Sequence, residues 1–431
     1  MALDLLIRNT SEVLCVQGEI GDTPKKALTS ISDGAVGTAQ GRIAYLGPSA
    51  SLPPDAIGPD TAIIDARGGF VGPGFIDAHT HLVFAGDRED EFALRCRGAT
   101  YLEIARRGGG IQRTVRATRA SSIEELVALA RPRLCRLLEQ GVTCAEVKSG
   151  YGLTLEDELK MLKAIRSLAL DQPVTLIPTL LCAHAVPEER QATREGYLLL
   201  CVEEIIPAAA QAGLAKFCDA FVEEGAFSVA EARQILRAGC SAGLIPRLHT
   251  NQLTSSGGAL LAAELHASSA DHLEAISQSE IEALAAAQVV AVLMPTSTLF
   301  LKLPTSAPGR RLIEGGVKVA LATNLNPGSA MSENVPLTLG LACLQNGLSP
   351  AEAYWAFTRG GAQALRLPEH GKLAVGGPAD LVVFSCDSYR HLPYHFGVNH
   401  ARWVVKGGRV VANNPALAEC ASSGPAIAGD I

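Results

Sequence analysis

Nowhere in its 431 residues does this chain carry an apolar run near the roughly 18 residues needed to cross a bilayer as a helix. Hydrophobic residues make up 48% of the sequence, yet the longest runs, such as Val289 to Met294, have only the length of buried strands. Lys and Arg never cluster beyond pairs such as Arg106-Arg107 and Arg310-Arg311, and the net charge is -7, so no nucleic acid and no membrane is expected as a partner. A signal core is missing too, because Asp4 and Arg8 interrupt the stretch from Met1 to Thr10. The 11 cysteines include no Cys-x-x-Cys pair, which reads as buried small hydrophobes in a reducing compartment. A soluble, cytoplasmic protein is expected. No glycine fingerprint follows a first strand, which argues against a doubly wound nucleotide-binding sheet, and no internal repeat stands out.

What is present is alternation. From about His79 to Leu367, short β-branched runs (142–147, 174–181, 217–222, 245–249, 289–294 and 317–323) alternate with amphipathic segments. Three of those segments open on clear helix starts: Ser122-x-x-Glu125, Ser228-x-x-Glu231 and Ser349-Pro350-x-Glu352. Fully apolar strands alternating with helices imply a parallel sheet covered by helices, and the number of units favours a closed (β/α)8 TIM-like barrel over residues 71–370. Residues 1–70 and 371–431 read instead as short strands and turns that join into one small β domain, with the Ala-, Ser- and Gly-rich end from Pro415 to Ile431 loosely held.

In a parallel barrel the carboxyl ends of the strands converge on one mouth. The apolar run Phe70 to Asp77 ends in His79-Thr80-His81, and on an extended strand side chains at i and i+2 share a face, so both imidazoles can reach one ion. A bare His-x-His is not specific, since such pairs are also surface polar groups or satisfied core imidazoles. Here it has company: Lys148 to Tyr151, His184, His249, Asp271-His272 and Thr323 to Gly328 all fall at strand ends, which with His79 and His81 puts five of the ten histidines there. That clustering points to a metal centre. Lys148, a lysine near a strand end, is read as a solvated or ion-paired group rather than a carbamylated metal bridge.

With these residues in view, the segments GPGFIDAHTHLVFAGDREDEF, SGYGLTLEDELKML, CAHAVPEE, HTNQL, GGALLAAELHASSADHLE, ATNLNPGS and PYHFGVNH make the chain resemble the imidazolonepropionase family of the amidohydrolase superfamily, over about residues 40 to 412. The His-x-His element is common to the superfamily, whereas FAGDR, SGYG and PYHFGVNH are more specific. The resemblance implies a distorted barrel with a flanking β-sandwich and one zinc or iron ion per subunit. It also implies hydrolysis of the cyclic amide C–N bond of a small-molecule substrate, 4-imidazolone-5-propanoate, to N-formimidoyl-L-glutamate in histidine degradation. A homodimer is compatible with a chain of this size.

Carried over residue by residue, the resemblance implies His79, His81 and His249 as metal ligands, with position 324 as the fourth. An ion held by imidazoles with one open position suits zinc or ferrous iron and activates a bound water. The family pattern has Asp at 324 and this chain has Asn324, which can coordinate through its amide oxygen but cannot accept a proton. His272 is the substitute base, or else a hydrogen-bonding neighbour of the site. Asn251 is a second departure, where Asp is expected, and Gln252 can both donate to and accept from the ring. Arg88 offers a planar fork for the propanoate, against the alternative of a surface ion pair within its acidic neighbourhood. Tyr101, Tyr151, His184, Asn326, Gly328 and Ser329 are expected around the ring. The competing readings are another cyclic amidohydrolase or deaminase on the same barrel, and an inactive barrel that has lost its Asp carboxylate.

Overall fold

The computed structural model describes residues 2–19, 21–22, 24–99, 103 and 109–414, so Tyr101 and the stretch from Pro415 to Ile431 lie outside the described residues. Eight strands follow one another around a single parallel sheet: β1 (Phe75–Asp77), β2 (Val142–Lys148), β3 (Thr175–Ala183), β4 (Phe217–Val222), β5 (Ile245–Thr250), β6 (Ser269–His272), β7 (Val290–Leu293) and β8 (Val319–Leu321). Every neighbouring pair is parallel, and each connection between them is helical, as the alternation requires. The ring closes between β8 and β1 beyond the ends of both strands. Asn324 N–H donates to His79 C=O at 3.1 Å and His81 N–H to Leu325 C=O at 3.0 Å. The Asp77 carboxylate accepts from Thr323 N–H at 3.1 Å and from its hydroxyl at 2.6 Å. The seam that shuts the barrel therefore also fixes the backbone of the segments carrying His79, His81 and Asn324.

All three helix starts read from the sequence are reciprocal capping boxes, and a fourth, Ser277 with Glu280, opens the helix Gln278–Ala286. The apolar run from Phe70 to Asp77 does not form one strand. Val71–Pro73 pairs with Leu381–Phe384 of a flanking sheet, and the chain then crosses at Gly74 into β1. A side chain at Gly74 would meet Thr143 at 2.3 Å, so the crossing needs a glycine there.

Two further sheets flank the barrel, as the terminal strands lead one to expect. A four-stranded sheet contains Leu5–Arg8, Gly34–Ala39, Arg42–Pro48 and Ala62–Asp65, and a six-stranded one combines strands from both ends of the chain. Leu5, Ile7, Val36 and Ile64 of the first pack on Val13, Val71, Leu381, Val383 and Val405 of the second in a separate small core.

Inside the barrel the side chains lie in layers. Ile76, Cys144, Ile177, Phe217, Val290 and Ala320 form an apolar floor against Ala362, Ala364 and Leu365 of the segment that follows the last strand. Above it the inward positions turn polar.

Candidate active site

The period-two pattern of β2, β4, β5 and β6 carries Glu146 and Lys148, Asp219, Arg247 and Asp271 into the barrel, all fully buried. Lys148 Nζ lies 2.7 Å from Glu146 Oε1, 2.8 Å from Asp219 Oδ2 and 3.8 Å from Asp271 Oδ2. Arg247 Nη2 donates to Asp271 Oδ2 at 3.0 Å and to Ala78 C=O at 2.8 Å. Lys148 is thus ion-paired but not solvated. Three carboxylates face two cations, which leaves an excess of negative charge buried directly under the histidines.

Two of those carboxylates orient imidazoles. His79 Nδ1 lies 2.6 Å from Asp271 Oδ2, and His249 Nδ1 lies 3.0 Å from Asp219 Oδ2, the second contact being off the line of a good hydrogen bond. With the proton of His79 on Nδ1, its Nε2 presents a lone pair. That atom is 3.3 Å from His81 Nε2, which is itself 3.3 Å from His249 Nε2. Burial, with Lys148 next, pushes the His79 pKa well down, and burial, His184 and His249 do the same to His81. Asp219 is held well below the usual carboxylate range, because His249 and Lys148 outweigh the effect of its burial. Three imidazole nitrogens that meet this closely in a buried pocket are a donor set that a single cation can bridge, and burial keeps His79 and His81 neutral. The buried set His79, His81 and His249 fits a metal ion by this test. The register departs from the expectation in one respect: Ile76 and Ala78 face the barrel interior, so the alternation slips by one residue past β1 before His79 and His81 turn inward.

Asn324 sits beside this group through its backbone bond to His79. Its φ of 54° is a left-handed conformation that Asn tolerates well. Its Nδ2 donates to Ser297 Oγ at 3.2 Å, while Oδ1 is buried with no hydrogen-bond partner. His272 packs within the same set, its ring tilted 5.5 Å from that of His249 and edge-on 5.7 Å from that of His79. Its Nδ1 lies 3.9 Å from Glu274 Oε2, and neither atom has a hydrogen-bond partner. Burial drives the Glu274 pKa up to about 8, against a hydrogen bond from Thr298. Asn251 turns away: its amide donates to both oxygens of Glu280 at 3.0 and 3.1 Å. An Asp at 251 would set two carboxylates against each other, which accounts for the amide there.

Around the imidazoles, His184 stacks on His81 with ring centroids 5.1 Å apart and places Nδ1 3.0 Å from Gly150 C=O. Tyr151, buried, has its ring 5.9 Å from His81. The SGYG turn that carries it is tied down by Glu158, whose carboxylate accepts from the N–H groups of Gly150, Gly152 and Leu153. Arg88 is paired, with Nε and Nη2 on Glu91 at 2.8 and 2.7 Å; the Glu91 side chain is buried and that of Arg88 only 9% exposed. A Cβ on Gly328 would stand 2.1 Å from Arg88 Nη1, so this glycine makes room for the guanidinium. Asn326 Oδ1 accepts from the N–H groups of Gly328 and Ser329, both at 2.8 Å, and shapes the loop that meets Arg88. Gln252 is half-buried beyond β5. Glu146, Asp219, Arg247 and Glu274 were not picked out from the sequence as site residues. The signal for the first three was a charged side chain inside an otherwise apolar strand, with Glu146 two residues before Lys148.

This geometry, a parallel barrel with imidazoles converging at the carboxyl ends of its strands, is that of an amidohydrolase. Residues 98–412 match the model of the amidohydrolase family. Over 95% of its length the chain is 64% identical to an imidazolonepropionase of Myxococcus xanthus, of which it covers 97%, and over 96% it is 52% identical to one of Anaeromyxobacter, again covering 97%. The chain belongs to the imidazolonepropionase family and is a hydrolase acting on C–N bonds. In fold it is similar to a 5-methylcytosine deaminase of Klebsiella pneumoniae (TM-score 0.72, 17% identity, 95% of this chain and 97% of that one). An N-isopropylammelide isopropylaminohydrolase of Burkholderia multivorans is also similar (TM-score 0.66, 18% identity, 96% and 99%). Among the described residues no helix is long and apolar enough to cross a membrane.

Proposed function

We propose that the chain opens the ring of 4-imidazolone-5-propanoate, giving N-formimidoyl-L-glutamate, and that it does so with one zinc or iron ion held by His79, His81 and His249 and completed by the Asn324 amide oxygen. The observation that carries this reading is the convergence of three buried imidazole nitrogens, each 3.3 Å from the next, over a buried carboxylate layer of excess negative charge. When bound, such an ion supplies Lewis-acid activation of water and of the ring carbonyl.

The remaining work falls to the chain's own side chains. Arg88, which exerts its field on the Tyr151 hydroxyl, receives the propanoate with the fork edge not taken by Glu91. Tyr151, His184 and Gln252 border the ring and orient it, while Asn326 and Ser329 hold the loop that keeps Gly328 against Arg88. His272 takes the proton that Asn324 cannot accept, because it keeps a buried ring nitrogen free of any hydrogen bond and stands against both His79 and His249.

The test is hydrolysis of 4-imidazolone-5-propanoate by protein reconstituted with zinc or iron, following formimidoylglutamate. Turnover is expected in the unaltered chain. Its absence, or release of ammonia from another cyclic substrate, sinks the reading in favour of a deaminase on the same barrel.

A further inference from the structure

A second group of histidines lies away from the barrel mouth, in the segment that joins two strands of the six-stranded sheet. His391 begins the single helical turn His391–Tyr394, and His395 follows it one turn on, on the same face. The chain then reverses, with Val398 N–H bonded to His395 C=O at 3.1 Å, and brings His400 back beside them at the start of Ala401–Lys406. The ring centroids of His391 and His400 are 5.2 Å apart, those of His391 and His395 5.6 Å, and those of His395 and His400 5.1 Å. One nitrogen from each ring lies within 4.8 Å of the other two. His400 is buried, His391 half-buried and His395 exposed, so the group opens to solvent on one side.

We propose that His391, His395 and His400 form a second metal site that takes a divalent transition ion of the zinc type, with water in the fourth position. Three imidazoles with an accessible opening are a donor set suited to such an ion. His400 is already oriented for this, because Ser385 Oγ lies 3.2 Å from its Nδ1 and its Nε2 turns inward, 3.2 Å from His395 Nδ1. The site acts as a clasp. Phe396 and Pro393, between its ligands, lie against Gly340 so closely that a Cβ there would come within 2.8 Å of the Phe396 side chain. Gly340 belongs to the helix Val335–Gln345, the first helix after the loop of Asn324 to Ser329, so an ion at the clasp steadies the support of that loop.

The experiment uses full-length protein without a histidine tag, stripped with a chelator and reloaded with zinc, and counts zinc per chain by plasma mass spectrometry. The unaltered chain is expected to hold one zinc more than His391→Ala/His395→Ala, and His395→Ala alone to bind that extra ion roughly tenfold or more weakly. Equal zinc content in the unaltered and doubly substituted chains overturns the proposal and leaves a plain hydrogen bond between His395 and His400. Should the variants fail to fold, cobalt titration of the unaltered chain decides: a visible d–d band that saturates only with a second equivalent supports the site, and saturation at one overturns it. Because the readout is a difference in bound metal, it stands whether or not the barrel opens an imidazolone ring.

Discussion

Asp271 Oδ2 lies 2.6 Å from His79 Nδ1, and the same oxygen takes Arg247 Nη2 at 3.0 Å, with all three side chains closed to solvent. One carboxylate thus ties the ionic layer of the barrel to the first imidazole of the candidate metal centre. Asp271→Asn keeps the shape but removes the charge that fixes the His79 proton on Nδ1. Zinc affinity of the barrel site, measured by competition with a chromophoric chelator, is expected to fall about 10- to 100-fold. An unchanged affinity would show that His79 needs no partner.

Lys148 is the shared cation of that layer, in contact with Glu146 and Asp219. Lys148→Met leaves three buried carboxylates facing Arg247 alone. The expected loss is about 3–5 kcal/mol of stability, read from urea unfolding of the metal-free protein. A loss within about 0.5 kcal/mol would mean that water or a shifted proton replaces the ammonium.

The barrel, its strand order and its histidines were legible because each is written in a local signal. Apolar runs of strand length alternate with capped helices, and imidazoles fall at the ends of the runs. The division of Phe70 to Asp77 between two sheets was not legible, since a continuous apolar run does not record which partners its residues meet. The ionic layer was hidden for a related reason. Glu146, Asp219 and Arg247 sit in strands that read as buried, and only the closed ring brings their charges together across Lys148 and Asp271. Asn251 looked like a lost carboxylate until Glu280, 29 residues on, proved to be its partner.

Gly328 and Arg88 give a prediction about recognition. Gly328→Ala places a methyl group 2.1 Å from the position of Arg88 Nη1 and forces the flexible guanidinium aside without disturbing the barrel. Arg88→Lys removes the fork but keeps the charge. Both are expected to raise KM by about 10- to 100-fold, the weight of a charge-assisted hydrogen bond, with melting temperature little changed. A fall in kcat alone would place Arg88 away from the propanoate.

Glu274 predicts a pH dependence. It faces His272, accepts from Thr298 and lies in the field of Glu223, and burial raises its pKa from 4.5 to about 8. The folded state therefore keeps a proton that the unfolded chain has released above pH 4.5. Its contribution to stability is complete below that pH and is lost progressively as pH rises through about 8. Glu274→Gln, neutral throughout, is expected to flatten the decline in stability across this window in unfolding curves taken at several pH values. A parallel decline in both proteins would assign it to other groups.

Asn324 gives the prediction on which the chemistry turns. Its Oδ1 is buried and without a partner, and the layer beneath it already carries excess negative charge. Asn324→Asp adds one more buried anion. Without metal this carboxylate has no cation to balance it, so the stripped variant is expected to melt below the unaltered protein. With zinc the sign reverses, because the carboxylate coordinates the ion and neutralises charge. The loaded variant is expected to melt higher and to bind zinc about tenfold more tightly. Calorimetry of stripped and loaded forms of both proteins gives all four values. A variant that melts lower in both forms would put Oδ1 out of reach of the ion and leave the centre to His79, His81 and His249 alone.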